Sequence, residues 1–169
     1  GILVTSNSST RTRITNNGSI VTTGGSSHGI SLLGPNNTVI NSGTIDVNGT
    51  ASKGVYLQGG NLVTNLLINT GAIRTTGANT SATMGFASAV HVNTLTASFF
   101  SRVENRTGGL LSSANDYGYR GHNGNDTLIN AGTIEGHGGT GNDGAIYMGG
   151  NGNGTLILQT GSVIKGGAD

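Results

Sequence analysis

One phrase recurs along the chain. Leu66 to Ile73 reads LLINTGAI, Thr38 to Ile45 reads TVINSGTI, Thr127 to Ile134 reads TLINAGTI and Arg13 to Ile20 reads RITNNGSI. A phrase repeated at such intervals marks one supersecondary unit used many times, because a single unit cannot bury its own apolar side. The Gly of each copy serves as an anchor: Gly18, Gly43, Gly71 and Gly132, with Gly161 in LQTGSV and a degraded copy near Gly108 in ENRTGGLL. Successive anchors lie 25, 28, 37, 24 and 29 residues apart. One copy therefore carries an insertion.

The columns around the anchors are regular. Two residues after the anchor stand Ile20, Ile45, Ile73, Ile134 and Val163. Four before it stand Ile14, Val39, Leu67, Leu128 and Ile157. Two before it stand Asn16, Asn41, Asn69, Asn130 and Gln159. In an extended segment these offsets share one face, since strand side chains alternate with period two. A second extended phrase follows: GISL from Gly29, GVYL from Gly54, AVHV from Ala89 and AIYM from Ala145. Its apolar residues point inward, which sends Ser31, Tyr56, His91 and Tyr147 outward.

Short strands at this spacing, separated by Gly and lacking a helical period, predict an all-β parallel β-helix. The expectation is a solenoid of about six coils of roughly 24–29 residues with one longer coil. It forms a single domain over residues 1–169, with 75–106 as an irregular inserted region. Equivalent residues then stack at ~4.8 Å. The Asn/Gln column becomes a ladder in which each amide donates to one neighbour and accepts from the other. The anchor Gly are expected to take positive φ.

Composition agrees with this reading and excludes others. Gly supplies 32 of 169 residues, far above the usual ~7%, but apolar residues fall at fixed offsets, so the Gly mark turns and not a disordered linker. Net charge is +1 and only 9% of residues are charged. No Lys/Arg cluster exists, so no nucleic-acid partner is expected. No apolar run reaches the ~20 residues of a membrane helix. No signal-peptide pattern opens the sequence, and Gly1 is expected to be the edge of a processed or excised segment. With no Cys, stability must come from stacking and not from disulfides.

Candidate chemistry is sparse. The acids Asp46, Glu104, Asp116, Asp126, Glu135, Asp143 and Asp169 are dispersed, whereas glycoside cleavage needs two carboxylates facing one bond. No nucleophile, base and orienting acid stand in a recognisable spacing. The chain is therefore expected not to be an enzyme, with a carbohydrate-active β-helix enzyme as the alternative. GHNGNDTLI (from Gly121) and GGTGNDGAI (from Gly138) resemble the nonapeptide calcium repeat of RTX proteins. Asp126 and Asp143 would be the metal ligands of such a calcium-stabilised stem. Against this, the spacing of 17 and then 11 residues to GGNGNGTLI departs from tandem nonapeptides, and Gly-Asn-Asp is an ordinary tight turn. No cofactor is expected, with calcium as the alternative.

For partner contact the sequence offers two sets. Tyr56, His91 and Tyr147 form an outward stripe. Phe86, Phe99 and Phe100, all the Phe of the chain, fall with Arg102 in the inserted region. Aromatic and Arg anchors concentrate binding energy, and insertions in solenoids often form the binding face.

The phrases NSGTI, NTGAI and NAGTI, each followed by a GVYL-like strand, resemble the passenger regions of bacterial autotransporters over about Arg13 to Lys165. The resemblance implies a right-handed β-helix displayed on the surface of a Gram-negative bacterium, secreted through the outer membrane. It implies a C-terminal membrane β-barrel in the full-length protein, and it carries over no catalytic residue. It further implies an adhesin or structural stalk that meets a host-cell surface, a matrix protein or a glycan. Self-association through the open helix ends is a further expectation.

Overall fold

The computed structural model describes residues 1–5, 11–59, 64–79, 87–93, 100–123, 125–137, 144–150 and 152–166. Phe86, Phe99 and Asp143 lie outside these described residues. Among the described residues eighteen short strands form three six-stranded sheets, every pairing parallel. The first sheet contains β1 (Ile2–Thr5), β4 (Ile30–Leu33), β7 (Val55–Gln58), β10 (Val90–Asn93), β13 (Tyr119–His122) and β16 (Ile146–Gly149). The second contains β2 (Arg13–Asn16), β5 (Thr38–Asn41), β8 (Asn65–Asn69), β11 (Ser101–Asn105), β14 (Thr127–Asn130) and β17 (Thr155–Leu158). The third contains β3 (Ser19–Thr22), β6 (Thr44–Val47), β9 (Ala72–Thr75), β12 (Leu110–Ser113), β15 (Thr133–Gly136) and β18 (Val163–Gly166). Each sheet takes every third strand in order, so the chain winds as a β-solenoid of about five turns.

The core is a set of apolar columns, one residue per rung. Ile30, Val55, Val90 and Tyr119 stack in the first sheet. Val39, Leu67, Val103 and Leu128 stack in the second, and Ile45, Ile73, Leu111 and Ile134 in the third. All twelve are fully buried. The rung at β13 hides in the sequence because Tyr119 and Gly121 stand where the other rungs carry Ile, Val, Leu or Met. The two substitutions compensate each other. A Cβ on Gly121 would lie 3.1 Å from the Tyr119 hydroxyl, so the missing side chain makes room for the ring.

The asparagine ladder runs through the whole stack. The Asn16 Nδ2 donates to Asn41 Oδ1 at 2.7 Å, Asn41 to Asn69 at 2.8 Å, Asn69 to Asn105 at 2.8 Å and Asn105 to Asn130 at 2.8 Å. Asn130 then donates to Ser162 Oγ at 2.6 Å. Each amide also reaches a backbone carbonyl of the adjoining turn, as Asn41 does with Gly43 and Asn69 with Gly71. Five inward amides are thereby satisfied without water.

Two expectations need correction here. Asn105 belongs to the ladder, and Gln159 does not: Leu158 pairs with Asn130, and Gln159 lies on the exposed turn beyond it. The slip has one cause. The turns after β11 and β17 hold four residues instead of two, with Gly108 at φ +83° and Gly161 at φ +88°. Those two glycines mimic the anchor but precede its true positions, Gly109 and Ser162, by one residue. Nor do the anchors Gly18, Gly43, Gly71 and Gly132 take positive φ. Backbone crowding explains Gly43, Gly71 and Gly132, whereas a Cβ on Gly18, on the first rung, would meet nothing within 4 Å. A Cβ on Gly43 would lie 2.0 Å from the Gly18 carbonyl oxygen, and one on Gly71 2.0 Å from that of Gly43.

The inserted region 75–106 is regular where it forms strands. β10 and β11 keep the register of the rungs on both sides. Extra length between rungs costs little, about 0.6 kcal/mol per doubling of a loop.

The ladder makes a graded prediction. Asn105→Leu should lower unfolding stability by about 1–3 kcal/mol in a denaturant titration, because it leaves the amides of Asn69 and Asn130 without their partner. Asn17→Leu, on the exposed neighbouring position, should change it by less than about 0.5 kcal/mol.

Candidate functional site

The outer face of the first sheet gathers what the rest of the solenoid lacks. Parallel pairing stacks Ser31, Tyr56, His91, Arg120 and Tyr147 in one outward column. Ahead of the strands the pairing continues through small residues, Gly29, Gly54, Ala89 and Gly118. They are small because the chain crosses the isoleucine column of the third sheet there: a Cβ on Gly54 would sit 2.3 Å from Ile73 Cγ2. The residues just before them, His28, Lys53, Ser88 and Tyr117, flank the outward column.

The two columns form one aromatic and cationic cluster. The rings of His28 and Tyr56 are 5.3 Å apart, those of Tyr56 and His91 5.4 Å, and those of Tyr117 and Tyr147 5.3 Å. The Arg120 guanidinium lies 4.5 Å from the Tyr147 ring centre and 5.4 Å from that of Tyr117. The Lys53 ammonium lies 5.7 Å from the Tyr56 ring centre. The Asn93 amide donates to the Tyr56 hydroxyl at 3.0 Å. Cation–π contacts of this kind gain strength as the cation loses water.

Asp116 supplies the counter-charge. Its Oδ1 lies 3.8 Å from Arg120 Nη1, and its Oδ2 accepts from the Ser88 hydroxyl. Burial raises the Asp116 carboxyl, only partly offset by Ser88, the Tyr117 amide, Arg120 and Lys53. Burial lowers the Lys53 amine; nearby Asp116 pulls it back up and Arg120 adds to the fall. His28 is pushed down to about 4 by burial and by Lys53. His28 Nδ1 accepts the Lys53 backbone N–H at 3.1 Å, which fixes it as a neutral ring. Burial first, then the surrounding cations, also holds His91 well below its ordinary value. At neutral pH the cluster thus presents two neutral imidazoles beside Lys53 and Arg120.

The structure brings Tyr56, His91 and Tyr147 together, as the outward stripe requires. His91 departs from expectation in exposure. It points away from the core valines Val90 and Val92, yet only 6% of it is exposed, because Tyr56 lies against it and its neighbours crowd around. The part-exposed side chains of the site are His28, Tyr56, Tyr147 and, at 12%, Arg120. Arg120 had no signal in the sequence, since its rung was not recognisable as a copy. Lys53 and His28 fall ahead of the strands, outside the columns legible in the sequence.

The other candidates lie elsewhere. Phe100, 45% exposed, stands just before β11, and Arg102 belongs to the second sheet. Arg102 and Arg106 both grip Glu104 at 2.6 Å. Partial burial alone would raise that carboxyl, but the two guanidinium groups outweigh it and hold it below the usual range. A shallow groove of about 310 Å³ runs past these three residues to Gln159. Asp46 pairs with Arg74 at 3.6 Å and Glu135 with Lys165 at 2.8 Å on the third sheet. The described carboxylates thus have separate surroundings, and none faces another as a catalytic pair.

Asp126 has an inward role. It continues a second polar column, Asn37, Asn65, Ser101, Asp126, in the position just before or at the start of each second-sheet strand. In this column a side-chain oxygen accepts the backbone N–H of the rung before: Asn37 from Thr12, Asn65 from Asn37, Asp126 from Ser101. Asp126 stands where lower rungs have Asn, 2% exposed, with its Oδ1 buried and without a hydrogen bond. Burial pushes its carboxyl up to about 7, against the Ser101 N–H. Among the described residues no three His, Cys, Asp or Glu converge as a metal site.

Comparison with protein-family models, with curated proteins and with solved structures gives no match.

Asp126 has a signed consequence. Its folded-state carboxyl lies above the unfolded value of 3.8, so its contribution is full below about pH 4 and is lost as pH rises towards 7. His28, lowered to about 4 from 6.5, acts oppositely: its contribution is lost as pH falls from 6.5 to 4. Comparing variants isolates Asp126. Asp126→Asn, which mimics the protonated form, should match the parent in melting temperature at pH 3 and exceed it at pH 8. Calcium at millimolar concentration should leave the parent's melting curve where EDTA leaves it. A native-state site filled to 100 times its dissociation constant would add about 2.7 kcal/mol, a rise of several degrees.

Proposed function

We propose that the chain is a surface-displayed adhesive stem of the autotransporter-passenger type, and that the Tyr56–Arg120–Tyr147 face of the first sheet is its contact surface. The single observation behind this is the contrast between faces. On the second and third sheets Arg74 is held by Asp46, Arg102 and Arg106 by Glu104 and Lys165 by Glu135, whereas Arg120 of the first sheet meets Asp116 and also lies over the rings of Tyr117 and Tyr147. On the first sheet, aromatic rings and a guanidinium stack along one column across four rungs. Rigid aromatics and Arg on a fixed sheet are the side chains that supply affinity at low entropic cost.

In this reading the solenoid spaces the contact face away from the cell, and the ladder keeps it rigid. The partner is a host-cell surface, a matrix protein or a glycan. A membrane β-barrel follows in the full-length protein, and no chemical turnover is performed. The separate surroundings of Asp46, Glu104, Asp116, Asp126 and Glu135 support the last point, since hydrolysis and elimination both need groups that converge.

Binding of the purified chain to arrays of glycans and matrix proteins, and to host cells, tests the reading. Tyr147→Ala should weaken binding at least tenfold, the loss of one anchor worth about 1.4 kcal/mol or more. Arg74→Ala on the third sheet should leave binding unchanged. Equal effects of the two, or binding unaffected by either, would contradict it. Turnover of a polysaccharide by the purified chain, lost in Asp116→Asn, would contradict the non-enzymatic part.

A further inference from the structure

In the second polar column the asparagines use both halves of the amide. The Oδ1 of Asn37 and that of Asn65 accept a backbone N–H of the rung before, from Thr12 and from Asn37. Their Nδ2 donates to the Gly34 carbonyl, at 3.1 Å from Asn37 and 3.0 Å from Asn65. Asp126 repeats only the first half. It accepts the Ser101 N–H, and its Oδ1, buried and without a hydrogen bond, stands where the asparagines carry Nδ2. The turn residue equivalent to Gly34 is Asn123. It too lies three positions ahead of the column, takes a positive φ, 66° against 124°, and donates its N–H to the next rung. A carboxylate oxygen thus replaces an amino donor beside a turn carbonyl.

A second polar atom without a partner borders the same spot. Tyr119 is fully buried, and its hydroxyl has no hydrogen bond among the described residues. A Cβ on Gly121 would lie 3.1 Å from that hydroxyl and 3.3 Å from Asp126 Oδ2. Both groups therefore flank the space that Gly121 leaves. Burial first, then the Asp126 charge, holds the Tyr119 hydroxyl well above its ordinary value, which keeps its proton in place. The space is a cavity of about 10 Å³, walled by Gly121 and Asp126 of one rung and by Met148, Gly149, Gly152 and Gly154 of the next.

We infer that this cavity is a binding site for one water molecule, held between the Tyr119 hydroxyl and Asp126 Oδ1. The chemistry of the groups selects it. Tyr119 offers an O–H, while Oδ1 and the turn carbonyl offer lone pairs. One water accepts from the first and donates a proton to each of the others, and three bonds are what a buried water usually makes. A single water needs roughly 10–15 Å³, so the cavity takes one and no second. The water does at this rung what the amide nitrogen does at Asn37 and Asn65. Three departures from the repeat, Tyr119, Gly121 and Asp126, thus fall in one rung and meet at one point.

A high-resolution crystal structure of the chain at pH 8 tests this. It should show a water within hydrogen-bond distance, about 2.7–3.0 Å, of both Tyr119 Oη and Asp126 Oδ1. Magnetic relaxation dispersion of water deuterons counts long-lived waters in solution. Gly121→Ala, whose methyl group fills the cavity, should hold one fewer than the parent. Gly18→Ala, whose Cβ meets nothing within 4 Å, should hold the same number as the parent. Circular dichroism checks that each variant keeps its strands. If Gly121→Ala unfolds, Tyr119→Phe replaces it, since it keeps the ring, removes one partner of the water and should lose the same count. Equal counts in the parent and in the variant that fills or strips the site would overturn the inference. So would a Tyr119 hydroxyl bonded directly to Asp126 with no atom between them. A melting temperature higher in sodium chloride than in choline chloride at equal ionic strength, in the parent and not in that variant, would also overturn it, because the occupant would then be a monovalent cation.

Discussion

Everything in this molecule depends on vertical repetition: a side chain is satisfied only by its equivalent one rung away. The asparagine ladder makes the constraint strict. An inward amide between two apolar columns would be costly unless its donors and acceptor were both used. Asn41 meets that demand by donating to Asn69 and to Gly43 and accepting from Asn16. The apolar columns tolerate Ile, Val or Leu interchangeably. The amide column tolerates no shift of register, because a one-residue slip would turn every Asn outward and bring its neighbours in. Hydrophobic burial supplies the driving force, and the ladder supplies the alignment.

The same rule determines where glycine is needed. Close stacking brings one turn's backbone onto the next, so Gly43, Gly71 and Gly132 lack a side chain where a carbonyl of the rung before would meet it. Gly121 loses its own to make room for Tyr119. Where a turn gains two residues, as after β11 and β17, positive-φ glycine absorbs the extra length and the strands on both sides stay aligned. The register thus survives insertions that break the sequence period, and β10 and β11 stack correctly despite the 36 residues between Asn69 and Asn105.

Legibility followed the same physics. The repeat phrase, three apolar columns and most of the ladder could be read directly, because each residue there answers to the same environment as its equivalents. Asn105 escaped since its distance to the glycine that mimics the anchor is altered by the longer turn. β13 escaped since Tyr119 and Gly121 share between them a volume that other rungs divide evenly. The outer face of the first sheet was half legible. Tyr56, His91 and Tyr147 stand in one column and could be aligned, but Arg120 belongs to the unread rung, and His28 and Lys53 stand ahead of the strands, outside the columns legible in the sequence. The inward turn of Asp126 was hidden for a different reason: its motif looks like a surface turn, and only the second polar column shows that it occupies an asparagine's place.

A double-mutant cycle on Asn69 and Asn105 tests the central claim most directly. Leucine occupies the end of this column natively at Leu158, so Asn→Leu fits its shape. If stacked amides align the rungs, the cost of the double variant in equilibrium unfolding should fall short of the sum of the single costs by about 0.5–3 kcal/mol, since removing both partners strands fewer groups than removing each alone. Strict additivity of the two substitutions would contradict the account and assign the alignment of the rungs to the apolar columns alone.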